Sequence, residues 1–498
     1  MPNFQLLNSF VYTLSMSLLQ KSRLGYKPVV PSLLEEGIFQ PINKEDISPE
    51  ITKRFPKTCG ARSYGLKRGE GKRRKLNVGV LFSGGQASGG HNVIAGLFDG
   101  LQKIDAGSRL FGFLGGPSGL VDNKVRELTK QEIDTVRNQG GFDLIGSGRT
   151  KIETEEQLEQ AMSHVRELDA LVIIGGDDSN TNAAVLAEYY VQHGVSTRVI
   201  GVPKTIDGDL RSEEIEISFG FDTACKTYSE MVGNIARDAL SAKKYYHFIK
   251  LMGRSASHIT LECALATCPN LALIGEERRS LSQIVQDVVH LIEERKKVGK
   301  EYGVILIPEG LIEFIPEAKD PNFFASLPKN IQDQLSSKRD PHGNLQLSQV
   351  ETEQILLNMI KKEVELNALT HFFGYEGRAG LPSNFDANYC MALGRLAALA
   401  IRDELTGVIL AIKNLKNPAS QWECRAVPIV RLMHLEQRLG REKPVIAKTL
   451  VDLKSSPYQY FAHERKKWRL EDHYQTPGPI QFFGESSITN SIPNILTI

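Results

Sequence analysis

The run Ala170-Leu171-Val172-Ile173-Ile174 passes without a break into Gly175-Gly176-Asp177-Asp178-Ser179-Asn180-Thr181-Asn182. An apolar, largely β-branched run bounded by glycine reads as a strand buried on both faces. The polar set after it starts a helix, with Ser179 or Asn180 as its N-cap. A strand that hands over directly to a helix is the repeating unit of a parallel sheet. The handover recurs along the chain: apolar runs at 76–82, 110–114, 170–174, 198–202, 245–252, 302–307 and 406–412 alternate with helical patterns at 91–103, 154–167, 179–192, 281–297 and 386–403. That alternation predicts an α/β chain. The units are too many for one sheet of usual size, so two doubly wound, Rossmann-like parallel-sheet lobes with an active-site cleft between them are expected.

The chain has 498 residues, 41% hydrophobic and 24% charged, enough for full cores in two or three domains. Its 60 basic and 59 acidic side chains cancel, which leaves no overall field to draw it to nucleic acid or to an anionic membrane. No run is apolar for long enough to span a bilayer. The uncharged stretch at 4–20 lacks the leading basic residues and the cleavage site of a signal peptide, and reads as a helix for packing on the body or on a partner. Six cysteines without C-x-x-C spacing fit a reducing, cytoplasmic setting, with Cys263 and Cys268 as core residues of an apolar helix. The basic stretch Leu66-Lys67-Arg68-Gly69-Glu70-Gly71-Lys72-Arg73-Arg74-Lys75 reads as a solvated linker before the first strand.

Three further loops carry groups suited to phosphate chemistry. Ser83-Gly84-Gly85-Gln86-Ala87-Ser88-Gly89-Gly90-His91-Asn92 follows the first strand, and its glycines let backbone N–H groups approach an anion at a helix N-terminus. It fits neither the Walker A nor the G-x-G-x-x-G spacing, and a ligand-free strand–helix turn is the alternative. Arg149 closes a second glycine-rich loop, where it could clamp phosphate oxygens or pair with the acidic helix that follows. Pro203-Lys204-Thr205-Ile206-Asp207-Gly208-Asp209 leaves the strand at 198–202. A cation, a hydroxyl and two carboxylates at a strand's carboxyl end suit phosphoryl transfer, which needs charge against phosphate oxygens and a base for the attacking hydroxyl. Taken alone, the heptapeptide is also compatible with a solvated surface turn. Asp177 and Asp178, at the head of their helix, make a magnesium perch or simple helix-start charges.

Taken together and in this order, Gly-Gly-Gln-Ala-x-Gly-Gly-His-Asn at 84–92, Gly-Gly-Asp-Asp-Ser-Asn-Thr at 175–181, Pro-Lys-Thr-Ile-Asp-Gly-Asp at 203–209, Met252-Gly253-Arg254, Pro308-Glu309-Gly310 and Tyr375-Glu376-Gly377-Arg378 resemble the phosphofructokinase family, and within it the pyrophosphate-dependent branch. The resemblance runs from about Leu76 to Pro477-Gly478-Pro479-Ile480-Gln481-Phe482. The N-terminal Leu19-Gln20-Lys21-x-Arg23-Leu24-x-Tyr26 resembles the long form of that branch.

The resemblance implies transfer of a phosphoryl group from pyrophosphate to the 1-hydroxyl of fructose 6-phosphate, reversibly and with Mg2+. Asp207 would be the base, and Thr205 would hold the sugar or the moving phosphoryl group. Asp177 would hold the metal, and Gly84, Gly85, Arg149, Asp178 and Lys204 would form the donor site. Met252, Gly253, Arg254, Glu309, Tyr375 and Arg378 would form the sugar-phosphate site. ATP-using relatives carry glycine at the positions of Asp178 and Lys204. A carboxylate at Asp178 would repel a nucleotide α-phosphate by several kcal/mol, on the order of 4 at contact distance and an effective dielectric of about 20.

The implied organisation is an N-terminal extension and linker at 1–75, a donor lobe at 76–220 with about 378–440, and a fructose 6-phosphate lobe at 221–377 with about 441–498. The second lobe would contain a surface helical insertion at about 313–364. A homo-oligomer, dimer or tetramer, is implied, with no nucleic-acid or membrane partner. Ser88 stands where the family usually has proline, and Lys443 lies in a C-terminal stretch from which a lysine can reach the sugar site. Two alternatives stay open: an ATP-dependent kinase of the same fold, against which Asp178 and Lys204 speak, and a regulatory subunit, against which the intact Asp177, Thr205, Asp207 and Arg254 speak.

Overall fold

Runs of β-branched and aliphatic residues pair into two buried sheets. The computed structural model describes residues 16–44, 47–319, 329, 332, 351–438 and 441–478. The first sheet contains β1 (Gly37–Lys44), β2 (Arg62–Arg68), β3 (Asn77–Ser83), β4 (Arg109–Phe113), β5 (Val125–Glu127), β6 (Ser147–Gly148), β7 (Ala170–Gly175) and β8 (Arg198–Pro203). The second contains β9 (Tyr246–Leu251), β10 (Leu271–Ala272), β11 (Gly303–Pro308) and β12 (Ala368–Phe373). The chain then returns to the first sheet as β13 (Val408–Lys413) and β14 (Glu423–Pro428), and ends its strands with the hairpin β15 (Met433–Arg438) and β16 (Arg441–Ile446).

The first sheet runs β1-β2-β14-β13-β8-β7-β3-β4-β5, with β6 beside the end of β3. Its centre, β13 to β4, is parallel and its two margins are antiparallel. The second sheet, β10-β11-β9-β12, is parallel throughout. β7, β9 and β11 are buried at every position; β7 and β11 are continuous apolar runs, as strands between two helical layers usually are, while β9 buries His247 and Lys250 as well.

The helices Gly90–Ile104 and Asn384–Arg402 lie against each other on the first sheet. Their approach depends on glycine. A Cβ on Gly96 would stand 2.4 Å from the Met391 carbonyl oxygen, and one on Gly394 would stand 2.1 Å from that of Val93. The helix Phe221–Ala242 then leads from the first sheet to the second. The loops at 84–89, 176 and 204–209 leave the carboxyl ends of β3, β7 and β8, and those at 252–257, 309–310 and 374–378 leave the same ends of β9, β11 and β12. Parallel α/β sheets present ligand sites at these ends.

The expected strands and helices from 76 onward are present within a few residues. Four expectations need correction. Residues 66–68 belong to β2 rather than to a linker, because Leu66 is buried and the backbone pairs with β1. The helix after β7 begins at Asp177 with Gly176 as N-cap. Asn180 therefore lies inside the first turn, where its Nδ2 donates to the carbonyls of Gly175 at 2.7 Å and Gly176 at 2.9 Å. Within the expected surface insertion, the helix Thr352–Ile360 buries Ile355, Leu356, Leu357 and Ile360, three of them in the core of the second sheet; 320–328 and 333–350 lie outside the described residues. Cys268 terminates the helix His258–Thr267 in a left-handed conformation, φ 52°, rather than lying within it, although both it and Cys263 are buried as expected.

Of the N-terminal stretch at 4–20, residues before 16 lie outside the described residues, and the short helix Leu18–Leu24 follows. The C-terminal motif is described only as far as Gly478. All six cysteines are free thiols. Among the described residues no helix is long and apolar enough to cross a membrane.

Candidate active site

Lys204 extends β8 by one residue, its N–H donating to the Gly175 carbonyl at 2.9 Å. The chain then turns: the Asp207 N–H donates to Thr205 Oγ1 at 3.1 Å, and Ser218 Oγ donates to the Thr205 carbonyl at 3.0 Å. The turn passes through Gly208 at φ 74°, where a Cβ would also meet the Phe221 ring at 2.8 Å, so only glycine fits. The result is a loop with Lys204 and Asp209 buried and with Thr205 and Asp207 half-buried, all facing one cleft.

The same cleft is lined by Gly84 and Gly85, by Arg149, by Asp177 and Asp178, and by Arg254 from the second sheet. The glycine-rich loop is held by Gly84 N–H to the Gly148 carbonyl at 2.8 Å and by Ser147 Oγ to the Gly84 carbonyl at 2.6 Å. Gly84 has φ 88°, and a Cβ there would stand 3.3 Å from Lys204 Nζ. Arg378 joins from the 374–378 loop: its Nη2 stands 1.8 Å from where a Cβ on Gly85 would be, and Nη2 of Arg149 3.5 Å from that point. Three cations, Lys204, Arg149 and Arg378, thus converge on the two glycines.

Their mutual effect is visible in proton affinity. Burial first, and then the Arg378 guanidinium, pull the Lys204 amine down to about 8, with Asp207 opposing. The carboxylates respond the other way. Burial, and then Asp207 and Asp177, push Asp209 up to about 7. Burial, and then Asp207, push Glu309 up to about 7, against the Gly253 N–H that donates to its Oε2 at 2.9 Å. Burial lowers the affinity of Lys448, but the carboxylates of Asp177 and Asp209 outweigh it and raise the net value. Perturbed cations and carboxylates sharing a cleft mark a site that handles charge.

Of the remaining expected residues, Met252 is buried beneath the 374–378 loop, its Cε 2.9 Å from where a Cβ on Gly374 would stand. Gly253 adopts φ 132°, and Glu309 is 1% exposed with Oε1 lacking a protein partner. Tyr375 is 64% exposed, with the Arg378 guanidinium 5.3 Å from its ring centre. Tyr228 supports that loop by donating its hydroxyl proton to the Gly374 carbonyl. Ser88 is fully buried with its hydroxyl unpaired by protein groups.

Sequence reasoning missed Lys448, which lines the cleft and donates to Ser255 Oγ at 2.8 Å. The lysine it singled out, Lys443, pairs instead with Glu153 at 3.1 Å. Asp209 was visible as the last residue of its motif, but its burial was not. Among the described residues no group of three or more His, Cys, Asp or Glu side chains could hold a metal by itself. Asp177 and Asp178 offer hard oxygen ligands at the mouth of a phosphate-sized cleft, the one-or-two-carboxylate arrangement that suits Mg2+ when phosphate oxygens and water complete the shell.

The chain is similar to known proteins along most of its length. Residues 77–401 match the family model described as Phosphofructokinase. A pyrophosphate–fructose 6-phosphate 1-phosphotransferase of Porphyromonas gingivalis is 47% identical, covering 96% of this chain and 98% of its own, and that of Treponema pallidum is 45% identical, covering 95% and 96%. The crystal structure of a pyrophosphate-dependent phosphofructokinase from Nitrosospira multiformis superposes with a TM-score of 0.59 at 16% identity, over 84% of this chain and 98% of that one, and so shares the fold. The chain belongs to the phosphofructokinase family.

Proposed function

We propose that the chain transfers a phosphoryl group from pyrophosphate to the 1-hydroxyl of fructose 6-phosphate, giving fructose 1,6-bisphosphate and phosphate. The observation that carries this reading is that Lys204 and Asp207, from one turn after β8, share a cleft with Asp177 from the first sheet and Arg254 from the second.

In this reading the first-sheet lobe, residues 76–220 with about 378–440, binds the donor. The second, 221–377 with about 441–498, binds the sugar. The 84–85 backbone and the Lys204 and Arg149 cations hold pyrophosphate, and Arg378, which the sequence resemblance assigns to the sugar-phosphate site, joins them because its guanidinium stands over Gly85 beside that of Arg149. Asp207 accepts the proton from the 1-hydroxyl as the new P–O bond forms, and Thr205 orients the reacting groups. Arg254 faces the 6-phosphate, and Glu309, with an unpaired buried oxygen, accepts from sugar hydroxyls. Asp177, with Asp178 beside it, would hold Mg2+, which when bound neutralises charge on the pyrophosphate oxygens. Asp178 occupies space and places negative charge where a nucleotide would continue, and Lys204 adds a cation at the donor phosphate; both favour pyrophosphate over ATP. The leaving phosphate is a stabilised anion that needs no further acid, and because pyrophosphate and a phosphate ester are similar in energy the reaction is readily reversible. The enzyme acts in the cytoplasm as a homo-oligomer, a point that light scattering after size-exclusion chromatography checks.

Asp207→Asn tests the mechanism. The variant should lose about 100-fold or more in kcat while pyrophosphate affinity changes little. An unchanged kcat would remove Asp207 as the base.

A further inference from the structure

A short N-terminal segment, remote in sequence from every loop of the cleft, is bonded to two of them. Arg23 donates from Nη1 to Asn384 Oδ1 at 2.7 Å and from Nη2 to the Pro382 carbonyl at 2.8 Å. Both partners lie just after Arg378. Tyr26 donates its hydroxyl proton to Asn388 Oδ1 at 3.0 Å, and the Val29 N–H donates to the same oxygen at 2.9 Å. From the other side, Asn138 Nδ2 donates to the carbonyls of Arg23 at 2.9 Å and Tyr26 at 2.8 Å, and Gln139 Nε2 donates to that of Gln20 at 3.0 Å.

Asn138 heads the loop that ends in Arg149. It is 1% exposed and sits at φ 55°, a left-handed conformation that asparagine tolerates. Its side-chain oxygen accepts from Asn92 Nδ2 at 2.7 Å and its N–H donates to Asn92 Oδ1 at 2.7 Å. Asn92 lies in the first turn of the helix that follows the glycine-rich loop. The two bonded loops also meet directly, since a Cβ on Gly140 would stand 2.1 Å from the Gly380 carbonyl oxygen. Residues 20–29 therefore fasten the base of the 138–149 loop to the segment that follows Arg378, and those are the loops whose guanidinium groups converge over Gly85.

A guanidinium on a loop binds an anion well only if the loop is already placed, because ordering it on binding costs affinity. We propose that Arg23 is a positioning residue: through residues 20–29 it holds the loops of Arg149 and Arg378 at the spacing that bound pyrophosphate requires, without touching the substrate. The proposal rests on the reading of the cleft as a pyrophosphate site.

The test uses the full chain with Arg23→Ala, Arg23→Lys and Asn384→Ala, following steady-state kinetics, thermal unfolding, and amide hydrogen exchange of 138–150 and 376–384 without substrate. Arg23→Ala should raise KM for pyrophosphate about tenfold, the effect of losing one or two hydrogen bonds to a charged group, with kcat within about twofold. Exchange in both loops should quicken about tenfold while that of the helix Gly90–Ile104 stays put. Arg23→Lys should recover part of both effects, and Asn384→Ala should add little to Arg23→Ala. Unchanged KM with unchanged exchange in a folded variant overturns the proposal, as does a loss of kcat that only follows lowered global stability. If the unaltered chain does not use pyrophosphate, the functional reading fails by itself and exchange decides: quickening confined to the two loops upholds the strap, and none overturns it.

Discussion

Lys448 Nζ stands 3.9 Å from Asp177 Oδ2 and donates to Ser255 Oγ at 2.8 Å, so one cation touches the head of the helix after β7 and the loop after β9. The backbone is pinned before it, where the Ala447 N–H donates to the Leu432 carbonyl at 3.2 Å, and after it. The Thr449 N–H donates to the Asp209 carbonyl at 2.8 Å, and the Val451 N–H donates to Glu276 Oε1 at 3.0 Å. Lys448→Met should lower kcat/KM for pyrophosphate by about 100-fold, the scale of losing one preorganised charge in a reacting site. Lys443→Met, which breaks only the half-exposed pair with Glu153, should stay within about twofold. Equal effects of the two substitutions in steady-state kinetics would remove Lys448 from the site.

The Lys204 amine, pulled down to about 8, supplies a pH test. It is a cation below that pH and neutral above it, so kcat/KM for pyrophosphate should show a limb that falls above about pH 8, approaching tenfold per unit. Lys204→Arg, which stays charged, should abolish this limb even where its absolute rate is lower. A wild-type profile level to pH 9.5 would contradict the assignment.

Donor choice should follow two side chains. Asp178→Gly combined with Lys204→Gly removes the charge and bulk set against a nucleotide and the cation set against pyrophosphate. The double variant should gain measurable turnover with ATP and lose pyrophosphate turnover by about 100-fold. Assays with each donor that still show strict rejection of ATP would place the discrimination elsewhere.

Asp386 accepts from the Gly220 N–H at 3.0 Å, the Thr223 N–H at 2.8 Å and Thr223 Oγ1 at 2.5 Å, and so ties the start of the helix after the 203–219 loop to the helix Asn384–Arg402. Burial, and then Asp222, push its carboxyl from 3.8 to about 7. Between those values the native state holds a proton that the unfolded chain has lost, so this group's contribution to stability falls as pH rises from about 4 to 7 and its full cost remains above 7. Relative to wild type, Asp386→Asn should therefore gain stability with rising pH over that window, by at most about 1.4 kcal/mol per unit. Denaturant titrations at pH 5 and 8 check this; a difference that does not change with pH would contradict it.

Much of the fold was legible because parallel strands buried on both faces leave uninterrupted apolar runs. β7, β8 and β11 are such runs, and the glycine and acid loops at their ends announced where a site would form. β2 was missed because a marginal strand exposes Arg62, Lys67 and Arg68 to solvent and looks like a charged linker. The helix start at Gly176 was missed because glycine caps without a side chain, which left Asn180 as the more visible candidate. Lys448 was invisible for a different reason. No local pattern surrounds it, and only the pairing of its neighbours with Asp209 and Glu276 brings it into the cleft.

The most direct test of the account is to incubate the purified chain with fructose 6-phosphate and Mg2+, supply either pyrophosphate or ATP, and measure fructose 1,6-bisphosphate. The account predicts product with pyrophosphate and none with ATP. Product with ATP alone, or with neither donor, would contradict it.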